Sequence, residues 1–192
     1  MESRLEEAKR GERTVLFVDA AHFVFGSFLG YLWCVIRRFV RAASGRKRFN
    51  VLGALNAVTH QLTTVSNDSY INAVTVCELL EQLRRRYPVG PLTLFLDNAR
   101  YQRCRLVQDR AEILQIELAY LPPYSPNLNL IERLWKFVKK QCLYCKHYPD
   151  YASFRDAIQD CLQTAHRKHK AELKTLLTLN FQSFEEAQFL TV

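Results

Sequence analysis

The chain has 192 residues, 48% of them hydrophobic, with only six glycines and six prolines; this excludes a disordered or low-complexity protein and fits one domain of ordinary size. Lys and Arg outnumber Asp and Glu by 27 to 19, giving a net charge of +8 and a pI near 9.3, a balance that favours a polyanionic partner such as DNA, RNA or an acidic membrane face. The six cysteines, at 34, 77, 104, 142, 145 and 161, are too dispersed for the disulfide framework of a small secreted domain and read as reduced thiols of a cytosolic protein.

Residues 1–13 form a charged lead-in with helical character, and their acidic, polar start is unlike a signal peptide. The first strand follows in Thr14-Val-Leu-Phe-Val-Asp19, an apolar run that ends on an acid. Residues 15–36 are apolar enough to suggest a membrane span with Arg37 and Arg38 as a basic stop. Asp19 and His22 inside it, and the turn formers Gly26, Ser27 and Gly30, argue for two soluble strands and no membrane anchor. The aromatic and β-branched runs 31–40 and 49–58 read as neighbouring strands joined through a basic turn at 43–48.

Asn67, Asp68 and Ser69 offer N-caps for a helix whose apolar positions Val76, Leu79, Leu80, Leu83 and Tyr87 keep the 3.6-residue period, and Pro88 and Gly90 end it. A strand at 92–96, a helix at about 103–114 and a short strand at 116–121 come next. Pro122, Pro123 and Pro126 then forbid regular structure until a helix begins near Asn127 or Asn129, with Leu128, Ile131, Leu134, Trp135 and Val138 as its buried stripe. Two further amphipathic helices, 151–166 and 171–179, complete an order of strands, then βαβ-like units, then helices.

Three acids stand out. Asp19 and Asp97 each end an apolar strand run, and Glu132 falls in the first turn of the helix after the prolines, with 34 residues, 98 to 131, between Asp97 and Glu132. If the two strands are neighbours their terminal acids lie side by side, since adjacent strands are roughly 4.8 Å apart. Glu132 can reach the same place from a helix packed beside them, where an acid also suits the helix dipole. Phosphodiester chemistry needs an activated attacking oxygen, a stabilised leaving oxygen and offset phosphate charge, which two Mg²⁺ or Mn²⁺ ions about 4 Å apart supply. Such ions take hard oxygen ligands and keep part of their water, so three carboxylates suffice. Each acid also has an ordinary explanation, as a turn cap, a loop start or, for Glu132 with Lys136, a helical surface pair. Their weight lies in combination.

Basic residues cluster twice. Lys136, Lys139 and Lys140 share a helix face with Glu132, a row suited to phosphates or simply to solvent. Arg37, Arg38, Arg41, Arg46, Lys47 and Arg48, interleaved with Trp33 and Phe39, form a second candidate DNA contact, read against a plain surface loop. Cys142-Leu-Tyr-Cys145 ahead of His147, His166 and His169 raises a structural zinc site, but the spacing fits no standard finger.

The motifs Phe17-Val-Asp19, Asn50-Val-Leu-Gly-Ala-Leu55, Leu94-Phe-Leu-Asp97-Asn98-Ala99-Arg100 and Leu121-Pro-Pro-Tyr-Ser-Pro-Asn-Leu-Asn-Leu-Ile-Glu132-Arg-Leu-Trp135-Lys136 together resemble the mariner-type superfamily of DDE transposases in its bacterial insertion-sequence branch, over nearly the whole chain. The 34-residue interval is similar to that between the second and third acids of that superfamily. The resemblance implies an α/β, RNase H-like fold with a mixed five-stranded sheet flanked by helices, spanning 14–192, and Asp19, Asp97 and Glu132 as the metal-binding triad. It implies cutting at the ends of a mobile element and joining of the freed 3′-hydroxyl to target DNA, in a bacterial cytoplasm and at the nucleoid. Asn98 and Tyr124 fall on motif positions as structural support. Ala20, Gln102 and Leu130 depart from residues common in relatives, without removing a triad acid.

Relatives usually carry a helix-turn-helix region before the catalytic domain, whereas 13 residues precede the first strand here. Three expectations follow: a decayed copy, a catalytic half whose helix-turn-helix half is separately encoded, or a domain working with a partner chain. The synapsis of two element ends favours a homodimer. The competing reading is a catalytically inactive DNA-binding remnant of a transposase, held to DNA by the +8 charge.

Overall fold

A computed structural model of the chain describes residues 1–26, 35–36, 47–123 and 125–181. The elements are α1 (Glu2–Lys9), β1 (Thr14–Val24), β2 (Arg48–Asn56), β3 (Leu62–Asn67), α2 (Ala73–Arg86), β4 (Leu92–Leu96), α3 (Arg105–Ile113), β5 (Ile116–Tyr120), α4 (Leu130–Leu143), α5 (Tyr151–Lys168) and α6 (Lys170–Leu176), with 3₁₀ turns at Arg100–Gln102 and Pro126–Leu128. The five strands form one sheet in the order β3-β2-β1-β4-β5. Strands β1, β2 and β3 pair antiparallel, while β4 and β5 run parallel to β1, so the sheet is mixed and helices cover both faces.

Alternation along β1 sorts its side chains between two cores. Leu16 and Val18 join the α2 and α3 stripes, Leu79, Leu80, Leu83 and Val107, in an aliphatic core. Val15, Phe17, Ala21 and Phe23 face the other way, into a core with Trp135, Phe137 and Val138 of α4 and Phe154 and Ile158 of α5, closed at one end by Leu5 and Ala8 of α1. Asp19 belongs by parity to this second face.

Several elements differ from the sequence reading. Strand β1 does not stop at Asp19 but runs to Val24, because β2 continues to pair with it as far as Val24↔Arg48 and Ala21 and Phe23 return to the core. Strand β3 fills a stretch with no expected element and ends on Asn67, the first of the expected helix caps. Its Thr and Ser residues suit a partly exposed sheet edge, and Asn72 caps α2 instead, accepting from the Thr75 backbone N–H at 3.1 Å. The expected strand 31–40 lies outside the described residues apart from Val35 and Ile36, which sit in a bend. Among the described residues no helix is long and apolar enough to cross a membrane.

Candidate active site

The last parallel pair between β1 and β4 is Val18↔Leu96, so the next residue on each strand is an acid, Asp19 on one and Asp97 on the other. Leu92 to Leu96 is buried throughout, and the chain turns outward at Asp97, whose Oδ1 accepts from the Ala99 backbone N–H at 3.4 Å as the 3₁₀ turn begins. The acid thus sits where β4 leaves the core. Asp19 is held mid-strand, between Asp97 on one side and Gly53 of β2, its register partner, on the other.

Gly53 brings in the third acid. A Cβ built there would lie 2.7 Å from two ring atoms of Trp135 and 3.0 Å from Cδ1 of Ile131. Only a glycine lets the indole lie against the sheet at this point. Trp135 is one turn beyond Glu132 on α4, so the contact that seats the ring also sets Glu132 above Asp19. Asn129 caps the same helix and donates from Nδ2 to the Val18 carbonyl at 3.4 Å, tying the start of α4 to the residue before Asp19.

Asp19, Asp97 and Glu132 line one pocket of about 360 Å³ with Asn98, Leu121, Pro122, Ser125 and Asn129. Burial pushes the Asp19 carboxyl up to about 7, and the negative charges of Glu132 and Asp97 push the same way, against a backbone hydrogen bond from Ala20 and the nearby Trp135 indole. None of the three acids forms an ion pair among the described residues. Negative charge is therefore gathered in a half-buried place with no basic side chain set against it. Tyr101, on the 3₁₀ turn after Asp97, is raised to about 12 by burial and then by Asp97 and Asp19, so it stays a neutral phenol beside them.

As a donor set, three carboxylates and two amide oxygens are the hard oxygen ligands that Mg²⁺ or Mn²⁺ takes. In this arrangement no three His, Cys, Asp or Glu side chains among the described residues converge as a ligand set. Like charges in one pocket stand apart.

The basic residues divide. Lys136 and Lys140 are exposed on α4 and Lys139 is half-buried, on the helix that carries Glu132. Lys47 and Arg48 line a larger cavity of about 960 Å³ with His22, Tyr70, Tyr151 and Arg155. Arg155 had no signal in the sequence, because α5 reaches that cavity only through tertiary packing. Arg37, Arg38, Arg41, Arg46 and Tyr124 lie outside the described residues. The CxxC is divided by the end of α4: Cys142 is buried with its thiol toward the Ala157 carbonyl at 3.7 Å, while Cys145 is exposed at a φ of 55°.

A mixed sheet with acids at the ends of adjacent parallel segments and a third on the helix laid across them belongs to a class of polynucleotide-processing folds. The sequence matches the DDE superfamily endonuclease family over residues 14–155, and the chain belongs to that family. Comparison with curated proteins gives no match.

Among solved structures, the chain is similar to the Mos1 transposase paired-end complex with left transposon end, with a TM-score of 0.56 and 16% identity over 90% of this chain and 60% of that one. The HTLV-2 integrase catalytic core domain in complex with magnesium gives 0.52 and 13%, over 80% of this chain and 86% of that one. The BIV integrase catalytic core domain gives 0.54 and 17%, over 80% and 84%. The fold is RNase H-like, and the chain spans about 60% of the Mos1 chain.

Proposed function

We propose that residues 14–192 form the catalytic domain of a transposase, which cuts DNA at the ends of an insertion sequence and transfers the freed 3′-hydroxyl to target DNA. The observation that carries this reading is the placing of Asp19, Asp97 and Glu132 in one pocket, with Asp19 pushed up by burial and then by the other two acids, and no basic side chain in an ion pair with them among the described residues. These acids are the side chains that would hold two Mg²⁺ or Mn²⁺ ions. Bound there, the ions supply an activated attacking oxygen and offset the charge of the phosphodiester.

The chain's own groups bind and orient. Asn98 donates to the Leu121 carbonyl and so joins the loop after β4 to the loop after β5, fixing two walls of the pocket. Lys136, Lys139 and Lys140 carry positive charge along α4 from Glu132, where a phosphate backbone would run. Lys47, Arg48 and Arg155 form a second phosphate contact at the far end of β1. Arg37, Arg38, Arg41 and Arg46, outside the described residues, are proposed as DNA contacts from the sequence alone. The bound transposon end in the Mos1 complex and the magnesium in the HTLV-2 core support a DNA substrate and a divalent metal here. The paired ends of Mos1 and the dimeric form of the HTLV-2 core likewise favour a homodimer. The resemblance to bacterial insertion-sequence transposases supports a bacterial cytoplasm, at the nucleoid, as its compartment.

The test is Mg²⁺-dependent nicking of a plasmid that carries the DNA flanking this reading frame. Wild-type protein is expected to nick it, and Asp97→Asn to fall to background with an unchanged circular dichroism spectrum. Salt-sensitive binding without cleavage by the wild type would establish the inactive DNA-binding remnant instead.

A further inference from the structure

Two amides share the pocket of the acids. Asn129 is 4% exposed and Asn98 half-buried, and the Oδ1 atom of each is buried without a hydrogen-bond partner. Their orientations are not arbitrary. The amide nitrogen of Asn129 faces the Val18 carbonyl and that of Asn98 faces the Leu121 carbonyl; a carbonyl can only accept, so in both cases the oxygen must be the atom turned the other way. Asn129 is more unusual still. An asparagine at a helix N-cap ordinarily spends its Oδ1 on the backbone N–H two or three residues on, yet Asn129 makes no such bond at the head of α4. The N-caps of α2 and α5, Asn72 and Asp150, do make it, to Thr75 and Ser153.

Buried polar atoms left without partners are rare and need an occupant. The other polar side chains of the pocket are Ser125, whose hydroxyl donates to the Pro123 carbonyl at 3.3 Å, and Asp19, Asp97 and Glu132, which once ionised around a cation only accept and cannot satisfy an amide oxygen. A donor has to come from outside the chain, and a pocket of about 360 Å³ has room for about a dozen waters at roughly 30 Å³ each. Mg²⁺ and Mn²⁺ keep several waters when held by few carboxylates, and those waters are strong donors.

We propose that Asn98 and Asn129 are positioning residues for the hydrated metal, their Oδ1 atoms accepting hydrogen bonds from water held on the cation between the three acids. This rests on the metal-binding reading above and adds to it two neutral groups that orient the water shell. The forgone cap at the head of α4 is then a requirement of the site: the oxygen that would have served the helix serves the ion.

Mn²⁺ binding to the full chain without DNA, followed by titration calorimetry, tests this apart from any cleavage. Asn129→Leu removes the oxygen and the Nδ2 donor together, and Asn129→Asp keeps the oxygen while losing the donor to Val18. The expected result is a roughly 10- to 100-fold loss of affinity in Asn129→Leu, the range for outer-shell partners, and affinity at least that of wild type in Asn129→Asp. The metal-free melting temperature of Asn129→Leu should hold. Equal affinity in Asn129→Leu and wild type would overturn the inference while leaving the metal site standing. Equal losses in both variants would overturn it in favour of the bond to Val18. Absence of Mn²⁺ binding by the wild type would remove the functional reading and the inference together. Should Asn129→Leu fail to fold, Asn98→Leu against Asn98→Asp makes the same comparison on the other amide.

Discussion

The two faces of the sheet are built to different ends. Against α2 and α3 the core is aliphatic, with Leu16, Val18, Leu52, Leu79, Leu80, Leu83 and Leu94 all buried and closely fitted. Against α4, α5 and α6 it is aromatic, with Phe17, Phe23, Trp135 and Phe154, and the Asp19 carboxyl, the Asn129 amide and the Trp135 indole N–H are enclosed beside it. One face holds the fold together, while the other gives up part of its packing and hydrogen bonding to hold a charged pocket. Stability and chemistry are thus divided across a sheet one residue thick, and β1 serves both by alternation.

The largest loss is expected on the aliphatic side. Leu80→Ala, at a fully buried position, should cost about 2–5 kcal/mol in urea unfolding and leave metal binding per folded molecule unchanged. A loss of metal affinity out of proportion to the unfolded fraction would show that the faces are coupled. On the other face Gly53→Ala forces a methyl group into the buried Trp135 ring; about 1–3 kcal/mol of destabilisation is expected, and metal affinity should fall with it as α4 and Glu132 are pushed from the sheet.

The last effect is a gain. In the folded chain Asp19 holds its proton up to about pH 7, whereas in the unfolded chain it loses it near 3.8. The folded state therefore binds more protons across that window, and stability declines as pH rises through it. Asp19→Asn lacks this penalty. It should match wild type near pH 4 and exceed it above pH 7, its melting temperature higher by about 2–4 °C for each kcal/mol of penalty removed, with no metal-dependent cleavage. Parallel melting curves for the two proteins between pH 4 and 8 would show that Asp19 pays no such cost.

Much of this was legible in the chain. The α2 and α4 stripes were, because period 3.6 survives in Leu79, Leu80 and Leu83 and in Ile131, Leu134 and Val138. Asp97 was placed well because an apolar strand stops there for good. Asp19 was read as a strand end because the apolar run pauses at an acid, yet pairing with β2 carries the strand through it. Strand β3 went unseen because an edge strand with Thr and Ser has little periodicity to display. Asn129 was read as a possible helix start and Gly53 lay within a quoted motif, but neither role in the pocket had a signal: each acquires it from a partner distant in sequence, Trp135 in one case and Val18 in the other.

Seated on Gly53, Trp135 can also report on the pocket. The sequence contains two tryptophans, and this one places its indole N–H beside the Asp19 carboxyl, buried from solvent. Its excited state carries a large dipole, so its emission colour should follow the charge on that carboxyl as protons or cations come and go. The ring that spaces the helix from the sheet is also an optical gauge of the pocket it encloses.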